Sequence, residues 1–141
     1  LHIMLKGGGS DNASRVVMLT PNAGKQGVID TVLQCVKEKA ANACPPLVVG
    51  VGVGSTFDKV GGMAKRALMR PLNKPTEDPQ VRAFEQELLE AINATGIGAG
   101  ALGGDTTALG VRVATAPCHI AALPVAVNMG CSAMRRVTVE L

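Results

Sequence analysis

The chain has 141 residues, 47% hydrophobic, 18% charged and only 1% aromatic, with a formal net charge of +3. That length suits one domain, residues 1–141, whose core must be Val, Leu, Ile, Ala and Met. Positive charge is dispersed, no aromatic platform exists for stacking on bases, and no apolar run reaches the ~18 residues of a membrane span, so we expect neither nucleic acid nor a membrane as partner.

In chain order, Leu1 to Leu5 reads as a strand, with no initiator Met and no lead-in. Leu141 ends inside a second strand-like run, Val137 to Leu141, and we expect a fragment of a longer polypeptide. Lys6-Gly7-Gly8-Gly9-Ser10-Asp11-Asn12 reads as a loop. Free backbone N–H groups in such a loop suit an anion, and a flexible hairpin turn is the plainer reading. It lacks the spacing of a Walker loop. Val16 to Leu19 predicts a short strand. Ile29, Val32, Leu33 and Val36 keep helical spacing within a helix over 24–41, with Cys35 as a buried, inert thiol.

Asn42-Ala43-Cys44-Pro45-Pro46 ends that helix, because two prolines forbid its continuation. A strand over 47–53 follows, with Gly50, Gly52 and Gly54 on one face. That bare face admits a close neighbour: a helix, a ligand or a cofactor. The glycines do not complete a dinucleotide fingerprint, since Ser55 and Phe57 stand where the third glycine belongs. Ser55 to Asp58 resembles a capping box before a helix to about Met69. Asp78-Pro79 predicts a helix start, Val81, Phe84, Leu88 and Ile92 its buried face, and Gly96 its end. Glu85, Glu87 and Glu90 read as its solvated face. A second glycine-rich loop runs from Gly96 to Gly110. A strand over 111–115, the apolar run 120–127, a loop over 128–136 and a last strand complete the chain. The fold class is mixed α/β (α+β): about three helices on a mixed sheet, with a strand-rich C-terminal third.

The cysteines are Cys35, Cys44, Cys118 and Cys131, too few for a disulfide scaffold and without a Cys-x-x-Cys pair. No export signal is visible, so we expect a reducing, cytoplasmic setting. Cys44 and Cys131 each sit in a turn beside an apolar strand. Two distant thiols near glycine loops suit an iron–sulfur cluster better than tetrahedral zinc, with structural cysteines the equal alternative. His119, between Cys118 and the apolar run, is by default a structural histidine and otherwise a site residue.

Lys6 to Asn12, Ala43-Cys44-Pro45-Pro46 with its glycine strand, Pro117-Cys118-His119, Leu123-Pro124-Val125 and Cys131-Ser132-Ala133-Met134-Arg135 occur in this order. Together they resemble the alpha part of the iron–sulfur hydro-lyases, class I fumarase and L(+)-tartrate dehydratase, over nearly the whole chain. The resemblance implies a [4Fe–4S] cluster held by three cysteines, of which Cys44 and Cys131 match the second and third. The first belongs to an upstream segment not in this sequence, and Cys35 and Cys118 match no ligand. It implies reversible hydration of a dicarboxylate double bond, an unliganded iron acting as Lewis acid on the substrate hydroxyl. Gly8 and Gly9 would offer backbone N–H groups to a substrate carboxylate, and His119 would orient or relay protons. A beta subunit or domain would supply the proton-abstracting base, and a homo- or hetero-oligomer is expected. The leading expectation is a fumarase alpha-subunit portion, fumarate to malate, inactive by itself. Tartrate dehydratase is the alternative, and a non-catalytic structural or assembly module the reading from another class.

Overall fold

A computed structural model describes all residues, Leu1–Leu141. A four-stranded sheet in the order β2-β5-β3-β4 carries the core. It is built from β2 (Arg15–Leu19), β3 (Leu47–Ser55), β4 (Ala108–Cys118) and β5 (Leu123–Gly130). β3 runs parallel to β4, while β5 is antiparallel to both β3 and β2. Strands β1 (His2–Leu5) and β6 (Arg135–Thr138) form a separate antiparallel ribbon.

The alternation of β3 decides the layers. Leu47, Val49 and Val51 point to one face, where α2 (Gly24–Lys39) and α4 (Pro79–Asn93) cover them with Val32, Val36, Leu88 and Ile92, all fully buried. Gly50 and Gly52 point to the other face, against α3 (Phe57–Ala67). A Cβ on Gly50 would overlap the Ala64 carbonyl oxygen, and one on Gly52 would lie 2.6 Å from the Val60 carbonyl oxygen. The close neighbour admitted by the bare face is therefore a helix backbone, and no room remains there for a ligand. Cys35 is fully buried in the first layer, its Sγ donating to the Ala13 carbonyl oxygen at 3.3 Å. Burial pushes its thiol pKa up, in keeping with an inert role.

Asp78 caps α4 as expected, accepting from the N–H groups of Gln80 and Val81. Four expectations are corrected. Glu85 is not on a solvated face: it is 5% exposed and accepts from the Val113 N–H at 2.8 Å, from Arg112 and from Arg70. Arg112 also donates to the carbonyl oxygens of Pro71 and Leu72, so these charges latch the 70–78 loop onto β4. The capping box does not form, because Ser55 is still in β3 and Thr56 donates to the Asp58 carboxylate instead. The segment 128–130 continues β5, with Asn128 buried, where a loop was expected. Finally, Gly8–Asn12 is a short helix, α1, instead of an open loop.

Candidate functional site

The site is the end of the sheet at which β3 begins and β5 finishes. Val48 pairs with Gly130, so the residues just before β3 and just after β5 emerge side by side. Ser132 donates its N–H to the Cys44 carbonyl oxygen at 3.1 Å, tying the two cysteine segments together directly. Cys44 is exposed and Cys131 half-buried, and both are free thiols. Sheet topology thus joins two cysteines that the sequence holds far apart.

Cys44 adopts a left-handed backbone, φ 53° and ψ 70°. For a non-glycine residue this costs on the order of 1–2 kcal/mol, so the surrounding chain must enforce it. The enforcement is visible on both sides. Ala43 and Pro45 are buried, and the Pro45 carbonyl oxygen accepts the Gly100 N–H at 2.9 Å. That bond brings the second glycine-rich loop to this end. Its turn demands glycine at Gly98, where φ is +72° and a Cβ would overlap the Gly103 carbonyl group.

The Lys6–Asn12 segment forms a further wall. Ser10 Oγ donates to the Gly7 carbonyl oxygen at 2.9 Å and closes the first turn of α1. A Cβ on Gly9 would meet the Asn42 carbonyl oxygen at 3.1 Å, two residues before Cys44. Around Gly8 a Cβ would meet nothing within 4 Å, so no packing within the chain requires glycine there. The bare backbone of Gly8 leaves space at the thiol end for a group from outside the chain. Asp11 anchors this wall. Its carboxylate accepts from Asn128 Nδ2 at 3.2 Å and pairs with Lys6 and Lys65, each at 3.2 Å. The Asn128 bond and the two lysines hold its pKa down, to about 2.

His119 lies elsewhere. It follows β4, whose last residue, Cys118, pairs with Ser55 at the far end of β3. Eight residue steps at ~3.3 Å separate Ser55 from Leu47, so His119 is roughly a strand length, ~26 Å, from the thiols. It is exposed, and its Nδ1 accepts the Ala121 N–H at 3.1 Å. The structure therefore joins Cys44, Cys131, Gly8 and Gly9, and leaves His119 apart from them. Within the chain no three His, Cys, Asp or Glu side chains converge as metal ligands. Two residues of this end were not singled out from the sequence, Lys6 and Asp11. Both lie in the Lys6–Asn12 segment, whose three glycines hide the short helix that turns Asp11 back toward Lys6.

The thiol pair fits an iron–sulfur cluster in kind. Thiolates are the usual protein ligands of such clusters, one is exposed and one half-buried, and the glycine wall leaves room beside them. It supplies two of three or four ligands. Comparison with known proteins points the same way. The family model described as fumarate hydratase (Fumerase) matches residues 1–140. A putative L(+)-tartrate dehydratase subunit alpha of Methanocaldococcus jannaschii is 45% identical over 131 residues, covering 93% of this chain and 46% of that relative. The L(+)-tartrate dehydratase subunit alpha of Escherichia coli K12 is 33% identical over 138 residues, covering 98% of this chain and 46% of that relative. The chain thus spans somewhat under half the length of these relatives. With the match running along the whole domain, the chain belongs to the fumarate hydratase (Fumerase) family.

Proposed function

We propose that this chain is part of the alpha subunit of an iron–sulfur hydro-lyase and provides two of its cluster ligands, Cys44 and Cys131. One observation carries the reading: the Ser132 N–H to Cys44 C=O bond that brings two distant cysteine segments to one end of the sheet. The third cysteine comes from a part of the parent subunit outside this chain. A bound [4Fe–4S] cluster supplies a Lewis-acidic iron for the hydroxyl that is added or removed. The chain's own residues do the rest of the holding. The strained backbone at Cys44 and the sheet register at Cys131 fix the thiols before any metal arrives. Gly8 and Gly9 present backbone N–H groups, unbonded in the first turn of α1, to a substrate carboxylate.

The reaction is reversible addition of water to a four-carbon dicarboxylate, with fumarate to malate the first reading. L(+)-tartrate is the second, favoured by the names of the two relatives. His119 handles a proton. Because it stands a strand length from Cys44 and Cys131, the reacting atoms it serves lie in a site completed by another chain or by the rest of the parent. That partner is the beta subunit or domain, which supplies the base that abstracts the substrate proton. The isolated chain has no hydro-lyase activity.

The test is anaerobic reconstitution of the full-length parent with its beta partner, followed by assay on fumarate, malate and L(+)-tartrate. Visible absorbance of a cluster and turnover of at least one of these acids support the reading. Absence of both, with correctly folded protein, overturns it in favour of a structural module.

A further inference from the structure

The ribbon register places Lys6 beside the turn that carries Cys131. Leu5 pairs with Arg135, so Lys6, one residue further, stands opposite Met134 in the turn that begins at Cys131. The Met134 N–H bonds to the Cys131 carbonyl oxygen at 3.0 Å and closes that turn. Met4, two residues back and on the same face of the strand, packs with Cys131 against Val48, Leu68 and Met134. The Lys6 side chain is only 6% exposed. Its ammonium donates to Ser10 Oγ at 3.2 Å and pairs with Asp11 at 3.2 Å, which leaves one N–H without a partner in the chain. Asp11 is shared with Lys65, so two cations face one carboxylate and one positive charge is left over.

A buried lysine with an incomplete set of partners is costly to keep for packing alone. Burial pulls the Lys6 pKa below its ordinary value, and the hydrogen bond and charge of Asp11 oppose that pull. Thiolate ligands would bring negative charge to this end, and a fixed cation offsets it. We propose that Lys6, held in place by Asp11 and Ser10, is the fixed cation of the Cys44–Cys131 site and sets the charge balance of the cluster bound there. This rests on the cluster reading above. Lys6 acts through the field it places at the thiolates, and Asp11 is its positioning residue.

A nearby positive charge favours the reduced, more negative state of a cluster, so its removal lowers the reduction potential. The experiment uses the full-length parent reconstituted with its beta partner, and compares wild type with Lys6→Gln, Lys6→Arg, Asp11→Asn and Lys65→Gln. The readouts are iron content, midpoint potential and melting temperature. Lys6→Gln should shift the potential to more negative values, Asp11→Asn to more positive ones, and Lys6→Arg should restore the wild-type value. Lys65→Gln, whose side chain is half exposed, should shift it least. Opposite signs for Lys6→Gln and Asp11→Asn are something a purely structural ion pair would not produce, since both changes would then only lower the melting temperature. A cluster at the wild-type potential in Lys6→Gln overturns the role of Lys6 and leaves the cluster reading intact. A wild type that takes up no iron overturns the cluster reading itself. If Lys6→Gln does not fold, an unchanged potential in Asp11→Asn overturns the proposal.

Discussion

The two ends of the central sheet are built differently. At the end that carries Cys44 and Cys131, the chain ties itself together. Ser132 bonds to Cys44, Gly100 bonds to Pro45, Gly9 presses on Asn42, and Asp11 gathers Lys6, Lys65 and Asn128. At the end that carries His119 such cross-ties are missing, while exposed apolar side chains occur at both ends, Ile120 at 89% here and Leu102 at 91% there. His119 and Cys118 find partners only within their own turn. One end is preorganised by its own residues, and the other presents residues outward. The contrast teaches that one end of a sheet can be held by ties between distant segments while the other keeps its side-chain bonds within a single turn.

The largest effect should come from the thiols. Cys44→Ser or Cys131→Ser in the reconstituted parent should abolish the cluster's visible absorbance and its iron, with the melting temperature of the isolated domain nearly unchanged. Retention of a full cluster in either variant would break the assignment of that end. His119→Ala should do the reverse. Iron content and melting temperature should stay at wild-type values, while hydratase turnover falls by ~10²-fold or more, the usual scale for loss of a proton-transfer group. If it instead empties the cluster, the two ends are not independent.

Packing predictions come next. Gly50→Ala places a Cβ in the Ala64 carbonyl group, and backbone must move. The expected loss in denaturant unfolding is about 3 kcal/mol, at the upper end for overpacking. Glu85→Gln leaves Arg70 and Arg112 without their carboxylate, and should cost about 3 kcal/mol, since breaking a buried pair strands charge. The smallest effect is acid lability at Asp11. Its folded pKa of about 2 lies below the ordinary value of 3.8, so its contribution is present above that value and lost as pH falls from about 4 to 2. With the side chain 48% exposed, screening leaves about 1 kcal/mol, and Asp11→Asn should flatten the unfolding profile over that range.

Local signals in the sequence were read well where one principle acted alone. Asp78-Pro79 started α4, the apolar spacing from Ile29 to Val36 marked α2, and the bare face of β3 received a close neighbour. Errors arose where tertiary partners overrode local preference. Three glycines argue against helix, yet α1 forms because Ser10 and Asp11 give its first turn side-chain partners. Glu85 looks solvent-facing by residue type, yet it falls four residues after Val81 and three before Leu88, on the buried face. Of the site, the motifs pointed to Cys44, Cys131, Gly8 and Gly9, and the resemblance put both cysteines on one cluster, but the strand pairing that joins them was not legible. It lays β5 beside β3, a long-range pairing that no spacing encodes. The parallel pairing of β4 with β3 carries His119 to the other end.

The hydrogen-bonded ladder between β3 and β5 has one further consequence. The backbones that lead to Cys44 and Cys131 leave neighbouring strands, whose spacing in any sheet is ~4.8 Å. That interval works as a ruler. Side-chain rotation can trim the distance between the two sulfurs, while the Ser132 to Cys44 bond carries the ruler past the end of the ladder to their attachment points. Heating, oxidation or loss of a ligand should therefore leave the gauge of this half-site unchanged until the whole domain unfolds.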